Sequence, residues 1–405
     1  MERNVPKLRF KGFNDEWKID KLNENTYIKG RIGWKNLKQE EYTLKGPYLI
    51  AGKHINEGII NWDKCDHISE ERYEESMEIA LKDDDIIFSK DGSIGNPALI
   101  QNLKVKATIN GTMMLIRLDQ NEYEPSYFYQ ILKSEYFEKL IRNVKSGSSI
   151  PHIFQRDMIE FKFPVPGTLQ EQKRIANFLT KVDKIIEKQD EKVKNLENYK
   201  KGMMQKIFSQ EIRFKDENGK EYPEWQEYKL NELCNFFSGG TPLTSKKEYY
   251  DGNIPFIRSA EISSENTELT ISEIGLNNSS AKMIQKGDLL YALYGATSGE
   301  VSISKLNGAI NQAILCIRSN RCNLIFLEKV LRNSKQNIIK TYLQGGQGNL
   351  SANIIKELQY NFPCLDEQDK IAKFITKIDI ILQKEIDKLN ELYKWKKGLL
   401  QQMFV

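Results

Sequence analysis

The side chains best suited to chemistry are few in this chain and poorly assembled. Glu160-x-Lys162 and Glu227-x-Lys229 each supply the carboxylate and lysine of half a nuclease motif, but no suitably placed Pro-Asp precedes either. Asn96-Pro97 begins like the catalytic tetrapeptide of amino-methyltransferases and lacks its second proline and aromatic. Cys65-x-His67 offers two metal ligands with no second pair following. There is no phosphate-binding G-x-x-x-x-G-K-[ST] loop, no dinucleotide glycine pattern after a strand and no H-E-x-x-H. His54, His67 and His152 are the only histidines; the expectation is solvated or hydrogen-bonded rings, with His152 near a binding surface. The chain is therefore read as non-catalytic, binding no metal and no cofactor of its own.

Polar loops are the more informative residues. Three Gly-rich loops recur at matching places in the two halves. They are IKGRIG (28–33) and FSGGTPLTSKK (237–247), then SKDGSIGN (89–96) and LYGATSGE (293–300), then KSGSSIPH (145–152) and QGGQGNLS (344–351). Short polar side chains on closely approaching backbone, mixed with Lys, Asn and Gln, suit phosphate contacts and base-edge hydrogen bonds.

What must position these loops is a duplication. Residues 171–208 match residues 367–404 at a constant offset of 196, with 17 of 38 positions identical, from EQKRIANFLTKVD and EQDKIAKFITKID to the closing Phe208 and Phe404. The echo extends outward: RFKGFNDEWKIDKLNE from Arg9 answers RFKDENGKEYPEWQEYKLNE from Arg213, and NGTMMLIR ending at Arg117 answers NQAILCIR ending at Arg318. Such self-similarity dictates architecture before any local motif does. Strand-like apolar runs bounded by Gly, Asn and Ser, with amphipathic helices after them, make each half a mixed α/β unit. The boundaries read as 1–168 for the first unit, 169–210 for a central helix, 211–364 for the second unit and 365–405 for a C-terminal helix.

A heptad stripe runs along both helices. Its core positions are Val182, Gln189 and Leu196 with Ile185, Lys192 and Tyr199 in the first, where Leu179, Ile186 and Val193 widen the stripe, and Ile378, Glu385 and Leu392 with Ile381, Lys388 and Trp395 in the second. The polar break at Gln189/Lys192 and Glu385/Lys388 predicts an antiparallel pairing that brings Lys192 beside Glu385, Gln189 beside Lys388, Val182 against Trp395 and Leu196 against Ile381. The expected fold class is thus α+β: two tandem mixed α/β units separated by two long helices in an antiparallel coiled coil, with pseudo-two-fold symmetry. Helices of this length span roughly 57 Å at 1.5 Å per residue.

The 405-residue length allows two or more domains, and no apolar run approaches a membrane span. The N-terminal MERNVPKLRFKGF lacks a signal peptide's apolar core and the five scattered cysteines suit reduced thiols, so a cytoplasmic location is expected. A net charge of +4 permits nucleic-acid binding without announcing it.

The order of unit, helix opening on EQ-x-x-I-A-x-F-[LI]-T-K-[VI]-D, unit and helix resembles the specificity subunit of type I restriction–modification enzymes. PKLRFKGF…W, the SGGTP loop (238–242) and the K-K-G-x-x-Q-x-[IM]-F helix endings look like that family as well. The resemblance implies two target-recognition domains, each reading half of a bipartite, asymmetric site in double-stranded DNA. It implies two modification subunits docked on the helices and two restriction subunits, with S-adenosylmethionine, ATP and Mg²⁺ on those partners. On that basis Lys29, Arg31, Lys90 and Lys246 are candidate phosphate contacts. Ser93, Asn96, Thr297, Ser298, Gln347 and Asn349 are candidate base readers, Arg258 is a candidate for either, and Ser148, His152 and Thr241 complete the DNA-binding set. The competing reading is a duplicated protein–protein adaptor that holds two partners apart on a coiled coil.

Overall fold

A computed structural model describes residues 5–31, 37–146, 151–343 and 349–404. The chain divides into two compact units, Met1–Glu191 with Ile386–Val405, and Lys192–Glu385. Two long helices, Leu169–Phe208 and Leu365–Met403, contribute to both units, so each unit contains the start of one helix and the end of the other. Among the described residues no helix is long and apolar enough to cross a membrane.

In the first unit the strands Tyr27–Gly30, Met113–Arg117, Ile86–Ser89 and Gly95–Leu99 lie side by side in that order as an antiparallel sheet. Its central strands read as unbroken apolar runs because both faces are covered. Ile86, Phe88, Met114 and Ile116 point to the core shared with the long helices, while Ile87, Met113 and Leu115 point to a second core. That second core is closed by a three-stranded sheet in which Thr43–Ile50 runs antiparallel to Asp66–His67 and parallel to Ala107–Ile109. A short pair, Lys18–Asp20 against Phe163–Val165, joins the start of the unit to the segment leading into its helix.

The second unit repeats this plan. Asn235–Ser238, Ile314–Arg318, Leu289–Ala292 and Val301–Ile303 form the antiparallel sheet, and Gln226–Lys229 pairs with Gln359–Phe362. Tyr250–Ile257 again runs parallel to a short partner, Gly308–Ile310. In each unit a buried aspartate ahead of one sheet strand is gripped by the arginine ending its neighbour. Arg117 Nε and Nη2 each donate to Asp85 at 2.7 Å, and Arg318 Nε and Nη2 donate to Asp288 at 2.8 and 2.6 Å.

The helices pack antiparallel within each unit. In the first, Ile175, Leu179, Val182 and Ile186 share one core with Leu399, Leu400, Met403 and Phe404. In the second, Ile371, Ala372 and Ile375 share one with Met204 and Ile207. Lys192 donates to Glu385 at 2.7 Å, the pairing expected at the polar midpoint.

The inward stripe differs from the expected one on one side. Val182, Gln189 and Ile378 are buried, but Ile185, Tyr199, Ile381 and Trp395 are 49, 52, 50 and 46% exposed, and none of these four belongs to the buried cores. The second inward line is Leu179, Ile186 and Val193, the residues expected to widen the stripe, continued by Ile207 and matched by Ile375 on the other helix. Spacings of three and of four both place side chains on one helix face, and the sequence supplies apolar residues at both. The inward line takes Val193 at its midpoint, whereas the alternative would bury Lys192. Lys192 keeps its ammonium at the flank, where it reaches Glu385.

Because Phe404 lies in the first unit's core, 5% exposed and edge-on to Tyr127 at 5.7 Å, the end of the chain stabilises its beginning. Phe404→Ala is expected to destabilise the first unit by about 3–5 kcal/mol, read as a lowered urea midpoint. An unchanged midpoint would show that the last helix does not hold that unit.

Candidate nucleic-acid interface

The repeated EQ…D residues are where each unit is fastened to its helix. Glu171 sits in the first turn of the central helix with a side chain only 2% exposed. Arg9 Nε and Nη2 donate to its two oxygens at 2.7 and 2.8 Å, and the Trp17 indole N–H donates at 3.3 Å. Glu367 repeats this with Arg213 Nη2 at 2.9 Å and the Trp225 indole at 3.1 Å. A negative charge here also suits the helix N-terminus. The adjacent glutamines turn the other way. Gln172 accepts from the Glu124 N–H at 2.9 Å and Gln368 accepts from the Asn323 N–H at 2.8 Å, each capping the backbone where the unit's amphipathic helix begins.

Further along each helix an aspartate ties unit and partner helix together. Asp183 meets Lys133 at 3.3 Å and Lys396 at 2.5 Å, and Asp379 meets Lys329 at 2.8 Å and Lys200 at 2.5 Å. Burial would raise both carboxyls; the lysines outweigh it and hold Asp183 and Asp379 below the usual carboxylate value. Their stabilisation is therefore present above the unfolded-chain value and is lost as pH falls through the lowered folded one. None of Arg9, Trp17, Gln172 or Asp183 entered the expected site. Their signal was their place at echoed or identical positions in both halves.

In each unit the middle loop and the third loop are stitched by a single backbone bridge, Asp91 with His152 in the first and Tyr294 with Asn349 in the second. His152 Nδ1 donates to the Asp91 carboxylate, which also faces Lys90 Nζ at 3.6 Å. Asp91, Ser93 and Asn96 line a polar cleft of about 520 Å³ with Tyr42, Lys53, Asp66, Asn110 and Thr112. Asn96 is held at φ 53° and donates its amide to the Ile55 carbonyl at 2.7 Å, an arrangement that leaves its side-chain oxygen as an acceptor. Lys29, on the opposite edge strand of the same sheet, lies 5.7 Å from the Tyr27 ring centre. In the second unit Asn349 accepts from the Gly295 N–H at 3.4 Å while Thr297 Oγ donates to the Tyr294 carbonyl at 3.3 Å, so these two candidates share one turn. Thr241 is exposed and bonded to Gln312 at 2.8 Å. Ser148 and Gln347 lie outside the described residues.

Four candidates have structural employment. Arg31 is 8% exposed and donates to the Ile109 carbonyl at 3.2 Å and Ser76 Oγ at 3.0 Å, and burial pulls its guanidinium below the ordinary value. Ser298 is 6% exposed and donates to the Leu293 carbonyl at 3.0 Å. Both are corrections to the expected DNA-contact set, because a polar residue in a Gly-rich loop can satisfy backbone inside as readily as ligand outside. Arg258 is committed to Glu261 at 3.1 Å and to Glu268, which raise its pKa, and Lys246 donates to Tyr249 at 3.1 Å. The SGGTP glycines have a packing cause as well. A Cβ on Gly239 would sit 1.7 Å from the Ile310 carbonyl oxygen, and one on Gly240 2.6 Å from the Ser280 Cβ. Among the described residues no group of three or more His, Cys, Asp or Glu is arranged to hold a metal ion.

Two α+β units of one topology, alike in their joints and different in their loops, define a duplicated module carried on a shared pair of helices. The family model of the type I restriction modification DNA specificity domain matches residues 14–198 and again 222–392, and the chain belongs to that family. The type I restriction enzyme MjaVIII specificity subunit of Methanocaldococcus jannaschii is 23% identical, covering 98% of this chain and 94% of its own. The putative MjaX specificity subunit of the same organism is 26% identical, covering 98% and 95%. Among solved structures, the S subunit of a type I restriction-modification system from M. genitalium aligns with a TM-score of 0.62 at 19% identity over 99% of each chain. A chain from a structure describing complex assembly and conformational transition of the type I R-M system gives 0.57 at 16%, covering 96% of this chain and 97% of its own. These structural likenesses concern the fold.

The joint is open to a direct test. Arg9→Ala would leave the Glu171 carboxylate buried without its main partner, and a loss of about 3–5 kcal/mol is expected in urea unfolding. Adding Glu171→Gln to Arg9→Ala should return part of that loss; a double variant no more stable than the single would contradict the assignment.

Proposed function

We propose that this chain is the DNA-reading subunit of a type I restriction–modification assembly, each globular unit reading one half of a bipartite target in duplex DNA. The observation that carries the reading is the pair of stitched loops. The same two loops are joined at the same place in both units, yet they present Asp91, Ser93, Asn96 and His152 in one and Thr297 and Asn349 in the other. Shared scaffolding with different polar lips suits two different half-sites, and hence an asymmetric target. Acceptor groups such as the Asn96 and Asp91 oxygens match the exocyclic amino groups of adenine and cytosine in the major groove. The helices would fix the distance between the half-sites.

Two modification subunits and two restriction subunits would supply the chemistry, together with S-adenosylmethionine, ATP and Mg²⁺, and this chain would contribute none. Docking of two equivalent partners is supported by two equivalent apolar exposures, Ile185 with Trp395 in the first unit and Ile381 with Tyr199 in the second, which the inter-helix stripe leaves uncovered.

The test is binding of the chain with its modification partner to target and scrambled duplexes at two salt concentrations. Asn96→Ala and Asp91→Ala are each expected to cost about 1–3 kcal/mol on the target and to relax one half-site only. Lys29→Ala is expected to weaken all sequences alike and to lower the salt slope by about one. If wild type shows no preference for any sequence, the DNA reading fails and the adaptor reading replaces it.

A further inference from the structure

In both units the corner between the end of a central sheet strand and the start of the amphipathic helix is closed against the segment leading into the sheet's edge strand. In the first unit amides and a carboxylate close it. Asp119 accepts from the Asn121 backbone and side-chain amides at 3.1 and 3.0 Å, and from Asn23 and Asn25 at 3.2 and 3.3 Å. In the second unit the same corner holds two thiols. Cys234 Sγ lies 3.7 Å from Cys322 Sγ, the residues being 7 and 5% exposed. Ser319 fixes both sides: its hydroxyl donates to the Leu233 carbonyl at 2.6 Å and accepts from the Cys322 N–H at 3.0 Å. Since the first unit closes this corner without sulfur, the fold does not demand the pair.

We propose that Cys234 and Cys322 form an oxidisable pair that closes to an intrachain disulfide on exposure to hydrogen peroxide. The sulfurs need to approach from 3.7 Å to about 2 Å. The hydrogen bond from Cys234 outweighs burial and holds the Cys322 thiol down at about 7, while Cys234 is pushed up, so Cys322 is the nucleophile and Cys234 carries the proton. The Cys322 thiolate attacks one peroxide oxygen and the O–O bond breaks. The departing hydroxide takes a proton to become water, leaving a sulfenic acid. Cys234 then gives up its proton and attacks that sulfur; the S–O bond breaks and the second hydroxide leaves as water. The balance is two thiols and one peroxide to one disulfide and two waters, the peroxide being reduced. The bond joins residues 88 apart in sequence, a span that contains both larger sheets of the second unit, and it constrains that unit alone. This proposal is independent of whether the chain reads DNA.

The experiment treats the full chain with hydrogen peroxide, digests it without reduction and maps the peptides by mass spectrometry. A linked peptide containing Cys234 and Cys322, lighter by two hydrogen atoms and split by dithiothreitol, is expected. The Cys65→Ser/Cys316→Ser/Cys364→Ser variant should retain it, and Cys234→Ser should stop at a sulfenic acid on Cys322 that dimedone traps. Peroxide-treated wild type should also melt at a higher temperature in its second unit. The proposal is overturned if no 234–322 link forms while the half-buried Cys364 is oxidised, or if Cys322 proceeds to sulfinic acid without bridging.

Discussion

A carboxylate buried in the first turn of each long helix, gripped by an arginine and an indole from the start of the preceding unit, is the contact on which the architecture rests. Glu171 with Arg9 and Trp17, and Glu367 with Arg213 and Trp225, fix where each unit ends and its helix begins. Charges this deeply placed are tolerable only when each oxygen is used, and here both oxygens of Glu171 are. The cost of desolvation makes the joint specific: a slip of one residue would leave a buried charge unpaired. Gln172 and Asp183 bind the unit from an adjoining face of the same helix, so two faces of its first turns are committed to holding a globular domain.

That commitment explains why the repeat is strongest where it is. Identical residues between the helices include the glutamate, glutamine and aspartate of the joint and the lysines, Lys200 and Lys396, that reach the aspartate of the opposite copy. Each unit is completed by the other helix's last turns, as Phe404 in the first unit shows. The loops carry no such burden. They are free to differ, and they do.

The sequence made the duplication, the α+β class, the antiparallel helices and the Lys192–Glu385 contact legible, because each follows from order and spacing. It did not fix which of two apolar lines faces the partner helix. Ile185 and Ile186 both continue a heptad pattern, and only packing, with a valine in place of a lysine at the midpoint, selects Ile186. Of the candidate site, the structure keeps Lys90, Ser93, Asn96, His152, Thr297 and Asn349 around the stitched bridges and polar cleft, while Arg31 and Ser298 turn inward. Loop burial is set by tertiary neighbours such as Ile109 and Leu293, which a local reading of the sequence does not supply. The joint residues were visible as repeats, but their role required knowing which side chains meet across more than 150 positions.

The proposal at the centre of this account is that two matching joints carry two differing readers on helices that would set a distance. The most direct measurement is methylome sequencing of a host expressing this chain with its modification partner, before and after one heptad is inserted beside Gln189 and beside Glu385. Seven residues add ~10 Å of helix, the length of about three base pairs. The account predicts the same two half-sites separated by a longer unread spacer. An unchanged spacer, or altered half-sites, would contradict it.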